Sequence, residues 1–252
     1  MNTMNPFFIQ ENYIDVVADE EYEQVSMIID SVRASSCLTY QSFYVIDYFK
    51  RNFPYVSDNP LFLCGSSPQE VREKGFAFYN EHIPPDEVDM LHANNREGFR
   101  FFRELPVEVR LKSFISYDFH ILNTFGKTLI NHKLMPIRLA KNGNIWLALC
   151  LVSIAAQKDV GNIEVYLGDQ DNSCWTYSVK SGIWKQKEVN RLQERELEIL
   201  LHAAKGYNTA QMADKMCISK NTVKYHRKKI FKKLAVDSMS EAIMFAIEKK
   251  LI

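Results

Sequence analysis

"SKNTVKYHRKKIFKKL", residues Ser219–Leu234, carries seven Lys/Arg and no acid, in a 252-residue chain whose formal net charge is zero. Ser219 is a residue of the kind that caps a helix, and the stretch is predicted to be one. With Val223 set at zero and about 100° per residue, Ile230 and Leu234 fall within about 20° of it and define a buried stripe. His226 and Arg227 lie at the edges of that stripe. Asn221, Lys224, Tyr225, Lys228 and Lys232 fall between about 100° and 200°, on one face nearly opposite the core. A face of cations, an amide and one aromatic lacks the mixed charge of a merely solvated helix. Asn and Lys can read base edges, while Lys and Arg also neutralise phosphates, so the expected partner is double-stranded DNA.

The flanking sequence supplies the frame for this helix. "NTAQMADKM" reads as a short helix capped by Asn208 or Thr209, "CIS" as a tight turn, and the basic helix follows; together they make a helix-turn-helix over about residues 208–227. Ala213 is small where the two helices must approach, and Ile218 is an apolar plug for the turn. "LQERELEILLHAAKG" is a preceding helix stopped at Gly206, and a last helix runs from Met239 to Lys249. From Leu192 to Ile252 there are 12 Lys/Arg against 7 Asp/Glu, and elsewhere 19 against 24, so the neutral total hides a basic C-terminal part and an acidic remainder. Such a split implies two domains with different partners.

The C-terminal stretch resembles the DNA-binding domain of LuxR/NarL-type transcription regulators over about 60 residues. The resemblance is carried by "LQERE" (Leu192, Arg195, Glu196), "AAKGYN" (Ala204, Gly206), "MADKM" (Ala213), "ISKNTVKYH" (Ser219, Thr222, Val223, Lys224, His226) and "KKL" before "EA" (Glu241, Ala242). It implies that the third helix enters the major groove and that Lys224, Tyr225 and Lys228 face the bases. Thr209, Lys220, Asn221, Thr222 and Lys232 complete the expected DNA-binding set. The resemblance also implies a homodimer through the fourth helix, with Ile243, Met244 and Ile247 as its seam; the same three residues could instead be ordinary core. Two positions depart from the family pattern: Ala235 stands where Gly or Asn commonly ends the third helix, and Met239 replaces a frequent Arg.

Ahead of this domain the pattern changes. Residues Glu20 to Ser35 read as one amphipathic helix with Val25, Ile28, Ile29 and Val32 on a stripe. "SFYVIDYF" and "FPYVSD" are strands, "GSSPQEVREKG" a short helix capped by Ser67, and "PPDEVDMLHANNREGFRFFREL" a longer one opened by prolines and acids. "KSFISYDFHIL", "TLINHKLMPIRLA" and "NIWLALCLVSIAA" are strands, the last two joined at Asn142-Gly143, a hairpin signal. "NIEVYLG" and "CWTYSV" extend the sheet. The fold class is therefore α+β, one antiparallel sheet with helices to one side, followed by a four-helix all-α domain. Residues from about Ser42 to Ala156, including the "HIPPD" turn, resemble a PAS domain, which implies a sensing or assembly role. The organisation expected is 1–41 an N-terminal helical segment, 42–184 the PAS-like domain with a C-terminal strand extension, and 185–252 the DNA-binding domain, joined through a polar linker near Lys185 to Asn190.

Other functions find less support. A phosphoacceptor receiver would need alternating parallel strands and helices around acids such as Asp19 and Asp58, which read better as a helix-opening and a turn residue. A lactone-sensing domain has no matching aromatic and acidic signature here. The five cysteines are odd in number and form no C-x-x-C pair, which favours free thiols. Cys64 reads as a small buried residue, and His82, His92, His120 and His132 have no metal-ligand spacing. "DQDNS", Asp169 to Ser173, begins like a calcium loop but lacks its Gly and its bidentate Glu. Neither a nucleophile–base pairing nor a phosphate-cradling loop is present, so no enzyme activity is expected. No cofactor is identified; a small-molecule ligand in the PAS-like domain is compatible with the resemblance. The longest apolar run is too short to span a bilayer, and the expectation is a cytoplasmic bacterial regulator with RNA polymerase as a further candidate partner. The alternatives are a response regulator with a divergent receiver domain, or a sensor whose helical tail binds protein.

Overall fold

The stripe between Glu20 and Ser35 forms two helices, Asp19–Glu23 (α1) and Val25–Ser36 (α2), where one was expected. The break at Gln24 coincides with the docking of Tyr22, whose hydroxyl donates to Asp47 Oδ2 at 2.7 Å and whose ring lies 3.5 Å from Lys50 Nζ. The computed structural model describes residues 7, 9–124, 126–168, 173–188, 192–249 and 251–252. Within it the chain continues as strands Ser42–Asp47 (β1) and Asn52–Val56 (β2), then helices Pro60–Leu63 (α3), Pro68–Lys74 (α4), Ala77–His82 (α5), Pro85–Glu104 (α6) and Val107–Arg110 (α7). Strands Phe114–Asn123 (β3), Gly126–Leu139 (β4), Ile145–Ile154 (β5), Gly161–Tyr166 (β6), Ser173–Ser178 (β7) and Ile183–Glu188 (β8) follow. Ser67 caps α4 as expected, its Oγ accepting from Glu70 N at 3.2 Å.

The strands form one sheet in the order β2-β1-β5-β4-β3-β6-β7-β8. β1 pairs with β2 and β5, β4 with β5 and β3, and β6 with β3 and β7, all antiparallel. The expected PAS-like antiparallel sheet with helices is what forms, and it is not the parallel sheet of a receiver. Asp19 is the first residue of α1, and Asp58 sits at an exposed bend. Gly143 adopts φ 79° in the β4–β5 turn, where its N–H donates to Ala140 O at 2.8 Å. Pro136, within a central strand and unable to donate to the ladder, coincides with a register shift against β5.

β1 is buried at all six positions because both faces of the sheet are covered there. Tyr44 and Ile46 join the main core with Phe62, Val71, Phe78 and Phe102 from α3 to α6. Phe43 and Val45 point the other way, beneath Ile29 and Val32 of α2. The expectation of helices on one side is corrected accordingly. A second correction concerns β8: Lys185–Glu188 is strand, where a linker was expected. Its residues are almost all exposed, so no apolar alternation marked it as sheet.

The chain divides into two compact units, one comprising 1–154 and 158–187 and the other 155–157 and 188–252. Among the described residues, no helix is long and apolar enough to cross a membrane.

Candidate nucleic-acid interface

The second unit contains four helices, Glu194–Ala204 (α8), Thr209–Lys215 (α9), Lys220–Leu234 (α10) and Met239–Glu248 (α11). Three of them, α9, α10 and α11, begin at a residue whose side chain closes a cap. Asn208 Oδ1 accepts from Ala210 N and Gln211 N at 3.0 Å, Ser219 Oγ accepts from Thr222 N at 3.0 Å, and Ser238 Oγ accepts from Glu241 N at 3.1 Å. At α8 the reciprocal half is made, with Gln193 N donating to Glu196 Oε2 at 2.8 Å. The turn between α9 and α10 is fixed by Ile218 N donating to Ala213 O at 3.0 Å, with Cys217 in the left-handed region at φ 51°. Ala213 is buried and Ile218 packs on the core, the positions the sequence pattern gave them.

The buried stripe of α10 is Val223, Ile230 and Leu234, which meets Ile199, Leu200 and Met212. Opposite it, Asn221, Lys224, Tyr225, Lys228 and Lys232 are exposed, as is Lys220 in the first turn, while Thr209 and Thr222 are half-buried. Tyr225 is 55% exposed, too much for a packing aromatic, and Lys229 Nζ lies 4.9 Å from its ring centroid. Such a cation–π contact constrains where the ring points.

Two of the cations of α10 tie it to other helices of the unit. Arg227 Nη1 donates to Thr209 Oγ1 at 3.0 Å and so ties α10 to the first residue of α9. Lys233 Nζ reaches Glu196 Oε2 at 2.6 Å, tying α10 to α8. Burial alone would raise the pKa of Glu196; hydrogen bonds from Lys233 and from Gln193 N, with the nearby lysine charges, hold it below the ordinary carboxylate value. On the wheel Lys233 falls at about 280°, off the exposed face, so its internal role had a signal in the sequence. Arg227's partner had none, since Thr209 lies in another helix.

Residues 190–246 match the family model described as "Bacterial regulatory proteins, luxR family". This part of the chain belongs to the luxR family. The chain is also similar to the oxygen regulatory protein NreC of Staphylococcus aureus, 30% identical over 142 residues, which cover 54% of this chain and 58% of NreC. The chain thus spans little more than half the length of that curated relative. Solved structures that resemble the chain include a Vibrio cholerae VqmA–ligand–DNA complex, at 15% identity over 91% of this chain and 89% of that one with a TM-score of 0.31. A PAS domain from Colwellia psychrerythraea matches at 13% identity over 54% of this chain and 97% of its own, with a TM-score of 0.35.

On α11 of the luxR-family domain, Met244 and Ile247 are exposed, while Ile243 packs against the domain core. Ala235 ends α10 in the left-handed region at φ 54°, ψ 48°, a conformation that Gly or Asn adopts more readily. Met239 is the first residue of α11 and also packs on the core.

In the first unit, the polar residues singled out by sequence are held by structural contacts. His82 Nδ1 lies 3.0 Å from Leu122 O, and His120 Nδ1 lies 2.7 Å from Glu87 Oε1. Cys64 is half-buried where full burial was expected, because it ends α3 in the left-handed region; burial still pushes its thiol up to about 12. His132 is buried on β4, its Nε2 2.5 Å from Tyr44 Oη, and Tyr44 in turn is hydrogen-bonded to Tyr79 Oη. Among the described residues, no group of three or more His, Cys, Asp or Glu is placed to hold a metal. Asp169 to Asn172, of the "DQDNS" segment, lie outside the described residues, as does the side chain of Ser173.

Proposed function

We propose that this protein is a sequence-specific, DNA-binding regulator of transcription, whose helix α10 enters the major groove of a duplex. The observation that carries this reading is the exposed, acid-free face of α10, opposite a stripe fully buried in its own domain. Lys224, Tyr225 and Lys228, near the middle of the face, are assigned to base edges. Lys220 and Asn221 in the first turn, with Lys232 near the end, suit the phosphate backbone on either side. Thr222 and Thr209 lie beside them; the Thr209 oxygen accepts from Arg227, which leaves its hydroxyl proton to donate to a phosphate. A single recognition helix reads few base pairs, so useful specificity calls for a homodimer on paired half-sites. The PAS-like unit is assigned the sensing role.

Binding of the full chain to duplex fragments, followed by fluorescence anisotropy across a salt series, tests the reading. Affinity should fall steeply with salt, and Lys224→Ala with Lys228→Ala should reduce the slope of log K against log salt by roughly 2. Unchanged affinity in that double variant, with its helix content intact by circular dichroism, would overturn the assignment.

A further inference from the structure

Tyr225 differs from its neighbours on the exposed face of α10, since it sets an aromatic ring among lysines and an amide. On the wheel it falls at about 200°, so the side chain leaves the helix almost directly away from the buried stripe. An exposed ring ordinarily reduces its contact with water by lying back on its own domain. Tyr225 instead stays 55% exposed, with Lys229 Nζ 4.9 Å from its ring centroid and the His226 ring edge-on at 5.4 Å and 71°. Both neighbours belong to α10 itself, so the direction of the ring is set before any partner arrives. Lys229 falls at about 240°, off the exposed face, and is half-buried.

We infer that Tyr225 is a specificity-determining residue that reads the C5 methyl group of a thymine, with Lys229 as the residue that positions its ring. The inference rests on the DNA-binding role proposed above and adds to it the identity of a base. Two features of the face select that base. Lys224 and Lys228, on either side of Tyr225 in the sequence, bring donors alone, so they meet acceptors such as guanine N7 and O6 or thymine O4. The ring calls for an apolar partner, and among the four bases only thymine presents one in the major groove. Thymine sets its O4 acceptor beside that methyl, which matches a lysine beside a ring. Cytosine places an amino donor where thymine has O4, which no lysine can meet, and guanine offers acceptors without a methyl. A ring free to swing would lose part of this contact to side-chain entropy; the cation–π contact with Lys229 reduces that loss.

Selection by the full chain from a library of random-sequence duplexes supplies the probe. Each thymine of the selected duplex is then replaced in turn by uracil, which lacks only the methyl, and affinity is read by fluorescence anisotropy. In the parent, uracil at one thymine of a half-site should weaken binding roughly fourfold, the weight of one buried methyl. Tyr225→Phe should keep that thymine-to-uracil ratio, because the ring remains, and Tyr225→Ala should bring it to about one. Lys229→Met should lower the ratio although the ring is present, an effect that lost phosphate attraction or lost stability would not produce. A parent indifferent to uracil at every thymine would overturn the inference while its salt-dependent binding left the regulatory reading standing. So would a ratio that survives in Tyr225→Ala or is lost in Tyr225→Phe, and an unchanged ratio in Lys229→Met would strike the positioning role. A parent that retains no duplex at all overturns both readings.

Discussion

Ala235 occupies backbone space that an L-residue enters at a cost of about 1–2 kcal/mol, and it does so at φ 54°, ψ 48° with its side chain exposed. No packing contact of a buried methyl offsets that cost, and its N–H is used to close α10 on Phe231 O. Glycine would relieve the strain and give back part of the gain as unfolded-chain entropy. Ala235→Gly is therefore expected to stabilise the second unit by about 1 kcal/mol, read from slower native-state hydrogen exchange at the α10 amides. At this scale the sequence was informative where the matter is intrinsic to one residue. Ala235 could be flagged because its type conflicts with its place in the chain. The role of Arg227 could not, because it depends on what folding brings alongside, the Thr209 hydroxyl of another helix.

Among elements, α10 is held to its neighbours by an apolar stripe and by the Lys233–Glu196 pair at 2.6 Å, whose acid is fully buried. Removing the cation leaves a buried carboxylate with less compensation, so Lys233→Met should cost roughly 1–3 kcal/mol at pH 7. The sign with pH follows from the lowered pKa of Glu196 in the folded state. A carboxyl depressed on folding contributes stability above its unfolded value of about 4.3 and loses it as pH falls through the folded value. The gap between parent and Lys233→Met in urea titrations should therefore be full at pH 7 and shrink below about pH 4. A gap of equal size at both pH values would show the loss to be packing by the lysine stem. The same scale explains which elements were legible. α10, α6 and β3 to β5 are long and strongly patterned, whereas β8 is an exposed edge of alternating polar residues and α3 is a single turn. The α1–α2 break escaped detection because the apolar stripe continues through Gln24, while Tyr22 turns aside to Asp47.

For the whole molecule, the zero net charge conceals a division of labour, with the basic excess confined to the part that carries α10. Under the proposed function a recognition helix of this size gains its specificity by acting in pairs, and a surface joining two copies would then set how tightly the chain holds its site. On α11 the exposed apolar residues are Met244 and Ile247, while Ile243 serves its own domain's core. A seam built on the first two can be broken without unfolding the unit; substitution of Ile243 would confuse the two effects. Met244→Glu with Ile247→Glu should accordingly convert a dimer to a monomer in sedimentation, with circular dichroism unchanged. On DNA carrying two half-sites, affinity should drop roughly 100-fold, because the second engagement is no longer intramolecular. On a single half-site it should stay within a small factor of the parent. Equal losses on both DNAs would place Met244 and Ile247 in the DNA contact itself, and a dimer that survives the double substitution would move the seam away from α11.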